Sequence, residues 1–323
     1  MDNLCHALVG AALAEAGLKK RTALATATLV IGANLPDVDV FSYAWGADTA
    51  LSFRRGWTHG LPALVLWPFI LTGLMLAWDR LVRRRRHPDL PAAEPRALFW
   101  LAAISILTHP VLDWLNTYGM RWLMPFRDVW SYGDTLFIVD PWIWLALGIG
   151  YFASRRLGKR GSPRPERPAR AALAAVAVYI LLMGGSQLAA REAAREGLAA
   201  TGTVPERLMA GPLPLTPLRR QVVADTGPAY ALGTVDWTRR PPFAPGPMPT
   251  VVKNDLHPAV AAAAATREGA IFLHWARFPF FLVEEGPGSW IVRMTDARYT
   301  LNPGTGFGAL TVEVPRAPVP PAP

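Results

Sequence analysis

Ionisable residues are rare inside apolar helices unless something holds them there. This chain places His6, Asp37, Asp39, His59, His109 and Asp113 in or beside strongly hydrophobic stretches. Charge at membrane depth is costly, so such groups mark a site. Imidazole plus carboxylate is also the donor set that a divalent metal such as zinc prefers. The pattern predicts a membrane-embedded helical protein built around a metal site.

Six apolar segments stand out, at 4–18, 22–35, 61–78, 98–115, 136–153 and 171–188. The last four are long enough to span. The first two fall short of the roughly 20 residues that a full crossing needs. They form either a tilted pair of spans or a hairpin packed on the other helices. Apolar residues make up 51% of the chain and charged residues only 18%. The net charge of +9 suggests nucleic acid at first sight. Its basic residues, however, lie in short blocks beside apolar runs, without a basic stripe interleaved with aromatics, so no nucleic acid is expected. Cys5 is the only cysteine, which excludes an intrachain disulfide and a CxxC metal site.

Loop charge sets the orientation. Lys19, Lys20 and Arg21, then Arg80, Arg83 to Arg86 and Arg96, then Arg155 to Arg170, occupy alternate connections. Those connections are expected in the cytoplasm. The other loops, with the site residues and everything after 188, fall on the outer side of a bacterial inner membrane. Asp2 stands where a signal peptide would be basic, so the first helix reads as uncleaved. From about 190, Pro and Gly become frequent. Strand-like runs appear at Gln221 to Ala224, Ala229 to Trp237, Ala270 to Trp275, Ser289 to Met294 and Leu310 to Val314. The expected fold is mainly α: a polytopic membrane domain over 1–190, a small β-rich extramembrane domain over 191–314 and a disordered tail over 315–323.

His109 and Asp113 stand four apart, which puts both on one helix face. They can share an ion, or Asp113 can orient the imidazole. Pro110 fits a helix that starts or kinks there. Pro36-Asp37-Val38-Asp39 ends the second apolar run, where Pro36 should stop the helix. One of its carboxylates can bridge or bind metal, and an uncoordinated one can take a proton. Alone, the motif reads equally well as a capping or turn element. Arg54-Arg55-Gly56-Trp57-Thr58-His59-Gly60 leads into the third long segment. Its arginines suit an anionic substrate or lipid headgroups. His6 lies at the outer end of the first helix, and Asp134 and Asp140 border the fifth segment as further possible ligands. His257 and His274 read as structural, and His87 lies on the cytoplasmic side. Serine-hydrolase and zincin motifs are absent from the sequence.

At Met1-Asp2-Asn3-Leu4-Cys5-His6, Pro36-Asp37-Val38-Asp39, Arg55-Gly56-Trp57-Thr58-His59-Gly60 and Thr108-His109-Pro110-Val111-Leu112-Asp113, the chain resembles the YdjM-like family. That family is described as LexA-regulated, membrane-bound, metal-dependent hydrolases. The resemblance covers roughly residues 1–190. It implies an integral membrane hydrolase with a divalent metal, distantly similar to zinc-dependent phospholipase C. By position, His6, Asp37 or Asp39, His59, His109 and Asp113 would be ligands. The chain lacks a clear second HxxxE/D pair and the additional histidines of a three-metal site.

The expectation is a membrane-bound metal-dependent hydrolase holding one or more ions, most simply zinc. A metal-activated water would cleave a phosphoester or lipid-linked substrate, with Asp37 or Asp39 taking the proton and Arg54 or Arg55 steadying the anion. The competing classes are an ion- or proton-coupled transporter and a non-catalytic scaffold with a structural metal. The transporter predicts inverted repeats, which the sequence does not display. The scaffold predicts a closed four-ligand site.

Overall fold

The computed structural model describes residues 1–316. Two compact units share the chain. The first comprises Met1–Ser42, Phe53–Gln187 and Gly211–Pro217, and the second comprises Tyr43–Ser52, Leu188–Ala210 and the chain from Leu218 onward.

In the first unit, α1 (Asn3–Glu15) and α2 (Ala25–Asn34) form a short antiparallel pair. A 3-10 helix follows over Leu35–Trp45; α3 (Ala47–Phe53), next in the chain, belongs to the second unit except for Phe53. The long helix α4 (Leu61–Trp78) runs through a π-helical turn, Asp79–Arg83, into α5 (Arg84–Arg86). Then come α6 (Pro95–Trp114), α7 (Pro141–Lys159) and α8 (Arg167–Ala200). Local chemistry fixes the starts. Glu94 and Asp140 accept backbone N–H groups at the heads of α6 and α7. In both helices proline takes the first position, where its missing N–H costs nothing.

Helix α2 packs against both α1 and α6, α4 packs against α6 and also touches α2, and α7 packs against α1. Two glycines let these backbones approach. A Cβ on Gly10 would sit 2.5 Å from the Leu29 carbonyl oxygen, and one on Gly32 would collide with the Ser105 hydroxyl. Leu98, Ala102 and Ile106 of α6 then bury against Leu71 and Met75 of α4. Helix α4 leaves Val65, Leu66, Phe69 and Leu74 exposed. That apolar face suits hydrocarbon rather than water.

Among the described residues, three helices are long and apolar enough to cross a membrane: Leu61–Arg86, Pro95–Trp114 and Arg167–Ala200. The segment expected over 136–153 is not one of them. Its helix begins only at Pro141 and runs into Arg155, Arg156 and Lys159, which dilute its hydropathy. Pro36 ends α2 without freeing the chain, because the backbone tightens into the 3-10 helix that carries both acids. A proline near a helix start loses no hydrogen bond.

In the second unit, the C-terminal part of α8 buries Ala190, Ala194 and Leu198 against one face of an antiparallel sheet. That sheet has the order β1 (Arg207–Leu213), β2 (Thr216–Asp225), β3 (Ala229–Asp236), β4 (Thr250–Val252). Val222 and Ala224 point to α8, while Val223 points to the other face with Tyr230, Phe278 and Phe280, as the two-residue strand period requires. A second sheet pairs β5 (Pro279–Gly286), β6 (Ser289–Asp296) and β7 (Ala309–Pro315), with Val283 opposite Val292 and Val292 opposite Val312. Pro287-Gly288 closes the β5–β6 hairpin, and Gly288 takes the positive φ of 78° that such a turn asks of its second residue.

One expected strand is a helix. Ala270 to Trp275 lies in α10 (Arg267–Trp275), preceded by α9 (Pro258–Ala264). Thr266 caps α10 by accepting the Gly269 N–H at 3.1 Å. The run Ala270-Ile271-Phe272-Leu273 is short and apolar enough to serve either state, and the cap decides it. Residues 317–323 of the expected tail lie outside the described residues, and Pro315 ends β7.

Candidate metal centre

The antiparallel run of α1, α2, α4 and α6 gathers four termini at one end of the first unit. His6 lies on the first turn of α1, Asp37 and Asp39 just past α2, His59 just before α4, and His109 and Asp113 on the last turns of α6. His6, His59, His109 and Asp113 are fully buried, and Asp39 is 2% exposed.

Asp37, His59, His109 and Asp113 each turn one donor atom to a common point, all within 4.8 Å of one another. The two imidazole Nε2 atoms stand 3.1 Å apart. Asp113 Oδ2 lies 3.4 Å from each of them. Asp37 Oδ1 is the looser corner, 3.7 Å from His109 Nε2 and 3.9 Å from His59 Nε2. A tetrahedral ion with bonds of about 2.0–2.2 Å has ligand–ligand edges of about 3.3–3.6 Å, so this donor set fits a divalent ion.

Hydrogen bonding behind the rings points the same way. His109 Nδ1 lies 2.7 Å from the Ala33 carbonyl, which can only accept, so Nδ1 carries a proton and the neutral ring presents its lone pair at Nε2. The Thr58 hydroxyl donates to Asp39 Oδ2 at 2.9 Å and accepts from His59 Nδ1 at 2.8 Å. His59 Nε2 therefore also presents a lone pair. Asp113 Oδ2 is buried with no hydrogen-bond donor. Three electron-rich atoms thus face one another in a dry pocket, an arrangement a cation relieves. Burial pushes the His59 imidazole below its ordinary value, towards the neutral form that ligates metal.

The other residues expected at the site take distinct positions. His6 stacks on His109 with ring centroids 3.7 Å apart, and neither of its nitrogens has a hydrogen-bond partner. Its Nε2 lies 3.4 Å from Asp113 Oδ1, outside the four-donor set. The amino group of Met1 contacts that same oxygen. Asp39 is drawn behind His59. It accepts the Arg55 N–H at 3.0 Å, the Thr58 hydroxyl and Arg54 Nε at 3.2 Å. Arg54 also reaches Asp37 at 3.8 Å. Arg55 is buried, its Nη2 3.2 Å from Asp113 Oδ1 and its guanidinium 4.7 Å over the Tyr118 ring. Asp140 is absorbed as the cap of α7 and accepts the Tyr179 hydroxyl at 3.0 Å. His257 caps α9 and stands edge-on to Trp290.

Four supporting residues were not singled out in the sequence. Thr58 relays Asp39 to His59. Asn116 accepts from Arg55 Nη1 at 3.4 Å, and Tyr118 stacks beneath the same guanidinium. Arg121 donates to the Arg54 carbonyl at 2.7 Å, and its guanidinium lies 3.0 Å from where a Cβ on Gly56 would be. Only Thr58 had a visible signal, its place beside His59.

A curated relative, the uncharacterized protein YfhP of Bacillus subtilis (strain 168), is 23% identical over 196 residues. The match takes in 57% of this chain and 52% of that protein, so the chain spans about half the length of the relative it matches. No solved structure matches the chain. The family model for the YdjM inner membrane protein matches residues 1–190, which contain α1 to α7, most of α8 and every donor described above, and the chain belongs to that family.

Proposed function

We propose that this protein is a membrane-bound metal-dependent hydrolase acting on a phosphoester or lipid-linked substrate. The observation that carries the reading is the uneven donor set. His59, His109 and Asp113 form a tight triangle with edges of 3.1–3.4 Å, while Asp37 stands off at 3.7–3.9 Å and is the most exposed of the four. Three firm donors and one loose corner suit an ion that must also take a water or substrate; a structural ion calls for four equal ones. These four residues would hold the ion, with His6 as a further donor beside them. When bound, a divalent ion such as zinc lowers the pKa of a water towards about 7 and polarises a phosphoryl or acyl oxygen.

The chain's own residues do the rest. Asp39 and Thr58 hold the His59 ring and its tautomer. Asp37, at the loose corner, serves either as the fourth ligand or, where a water takes that corner, as the carboxylate beside it that accepts a proton. Arg54, more exposed than Arg55, is the cation that an anionic substrate meets first. The lipid part of the reading draws on Phe41 and Trp57. They are 72% and 50% exposed and stand two residues from buried Asp39 and His59. Aromatic residues of this kind favour the interface of a bilayer. The basic loops favour an orientation in which the site faces the outer side of an inner membrane.

The test uses full-length protein in nanodiscs, stripped with chelator and reloaded with zinc or manganese, against phospholipids and lipid-linked phosphates. Turnover that requires metal and disappears in His59→Ala and His109→Ala is expected. Metal-loaded protein that turns over none of these substrates, yet moves a cation across liposomes, would replace this reading with transport.

A further inference from the structure

We infer that the centre holds a single divalent ion, because the buried guanidinium of Arg55 occupies the place that a second ion would need. This rests on the metal reading above. The six acids and histidines that converge here are enough, by number, for two ions sharing a bridging carboxylate. Their geometry divides them differently.

Asp113 is the carboxylate placed to bridge. Its Oδ2 faces His59 and His109, both at 3.4 Å. Its Oδ1 faces Arg55 Nη2 at 3.2 Å and His6 Nε2 at 3.4 Å. A second ion on Oδ1 would have to displace the guanidinium, which is fixed from several directions. Arg55 Nη1 donates to the Asp113 carbonyl at 3.2 Å and to Asn116 Oδ1 at 3.4 Å. The Tyr118 ring lies beneath it, and its backbone, at a φ of 54°, is tied to Asp39. A non-glycine residue keeps that conformation only where its surroundings over-determine it.

Asp39 offers a second ion nothing, because Arg54, Arg55 and Thr58 already occupy it. Asp113 Oδ1 is crowded as well, since the Met1 amino group and the Arg55 guanidinium both meet it. Charge agrees. Taken as ionised, Asp37, Asp39 and Asp113 carry three negative charges against two on Arg54 and Arg55, before the Met1 amino group is counted. Two divalent ions would leave at least three positive charges in a buried pocket. Arg55 therefore acts as the fixed second cation of the site.

The experiment is equilibrium dialysis of the full-length protein in detergent against zinc, read by elemental analysis, with Asp113→Asn as the blank for adventitious ions. One zinc per chain above the blank is expected, and the same for Arg55→Lys, which keeps the charge. Manganese-loaded protein should show the electron paramagnetic spectrum of an isolated ion. Two ions per chain lost together in Asp113→Asn, or a spin-coupled manganese pair, would overturn the single-ion inference and leave the metal reading intact. No ion above the blank would overturn both.

Discussion

His59 Nε2 and His109 Nε2 face each other at 3.1 Å, and each ring's other nitrogen is already engaged, by Thr58 in one case and the Ala33 carbonyl in the other. Two lone pairs at that distance repel unless a proton or a cation lies between them. His59→Ala and His109→Ala each remove one member of the tight triangle. Each should lower bound zinc at least about tenfold, measured by elemental analysis after dialysis. Zinc content equal to wild type in both variants would remove these rings from the centre.

Asp39→Asn keeps the size of the side chain but loses an anionic acceptor. Three donors now converge on that carboxylate. The His59 ring then loses the charge that sets its orientation. Zinc affinity should fall by about 10–100-fold, the usual effect of removing a group that orients a ligand. Thr58→Val breaks the same relay at its middle and should weaken binding in the same direction. Competition with a chromophoric chelator measures both. Unchanged affinity in both would show that His59 needs no such support.

Helix contact sets the site as much as side chains do. A Cβ at Gly10 would stand 2.5 Å from the backbone carbonyl of Leu29, which cannot swing aside. Gly10→Val should therefore push α1 from α2 and carry His6 away from Asp113. Overpacking of this kind costs about 1–3 kcal/mol. The expected result is a lower unfolding temperature in detergent together with weaker zinc binding. A stable variant with unaltered zinc affinity would contradict this coupling of helix spacing to the centre.

Much of the site was legible because its residues break the apolar pattern around them. His109 and Asp113 interrupt a hydrophobic run and His59 stands at the head of one, and the structure brings all three together. The i, i+4 spacing of His109 and Asp113 was readable for the same reason. What could not be read was which atoms face inward. Asp37 and Asp39 are two apart and look equivalent in sequence. The 3-10 helix turns Asp37 to the centre and Asp39 behind His59. Arg54 and Arg55 likewise read as a pair, yet Arg55 is buried on Asp113 through contacts with Asn116 and Tyr118, more than fifty residues away. In the C-terminal part, β2, β3, β6 and β7 were legible as short strand-like runs separated by turn signals. Ala270 to Trp275 did not, because a short apolar run carries no period and the Thr266 cap settles it.

Asp225 supplies the clearest prediction for the second unit. Its carboxylate is almost fully buried, with Lys253 Nζ at 2.6 Å, Arg207 Nη2 at 2.8 Å and the Gly227 N–H at 3.1 Å. Burial pushes this carboxyl up, but the hydrogen bonds from Lys253 and Arg207 prevail and hold it below its ordinary value. A carboxyl whose pKa is depressed on folding stabilises the folded state at every pH above its unfolded value of about 3.9. That contribution disappears as pH falls through the depressed folded value. The second unit should therefore lose stability below about pH 4. Asp225→Asn should remove much of this acid dependence. At pH 7 it should cost about 1–3 kcal/mol, most of it from Lys253, since Arg207 is half-exposed and screened by solvent. Thermal unfolding from pH 7 to pH 3, followed by the sheet signal in circular dichroism, measures both effects. If the wild type and the Asp225→Asn variant lose stability in parallel as the pH falls, another group sets the acid limit, and the Lys253–Asp225–Arg207 cluster does not hold this unit together.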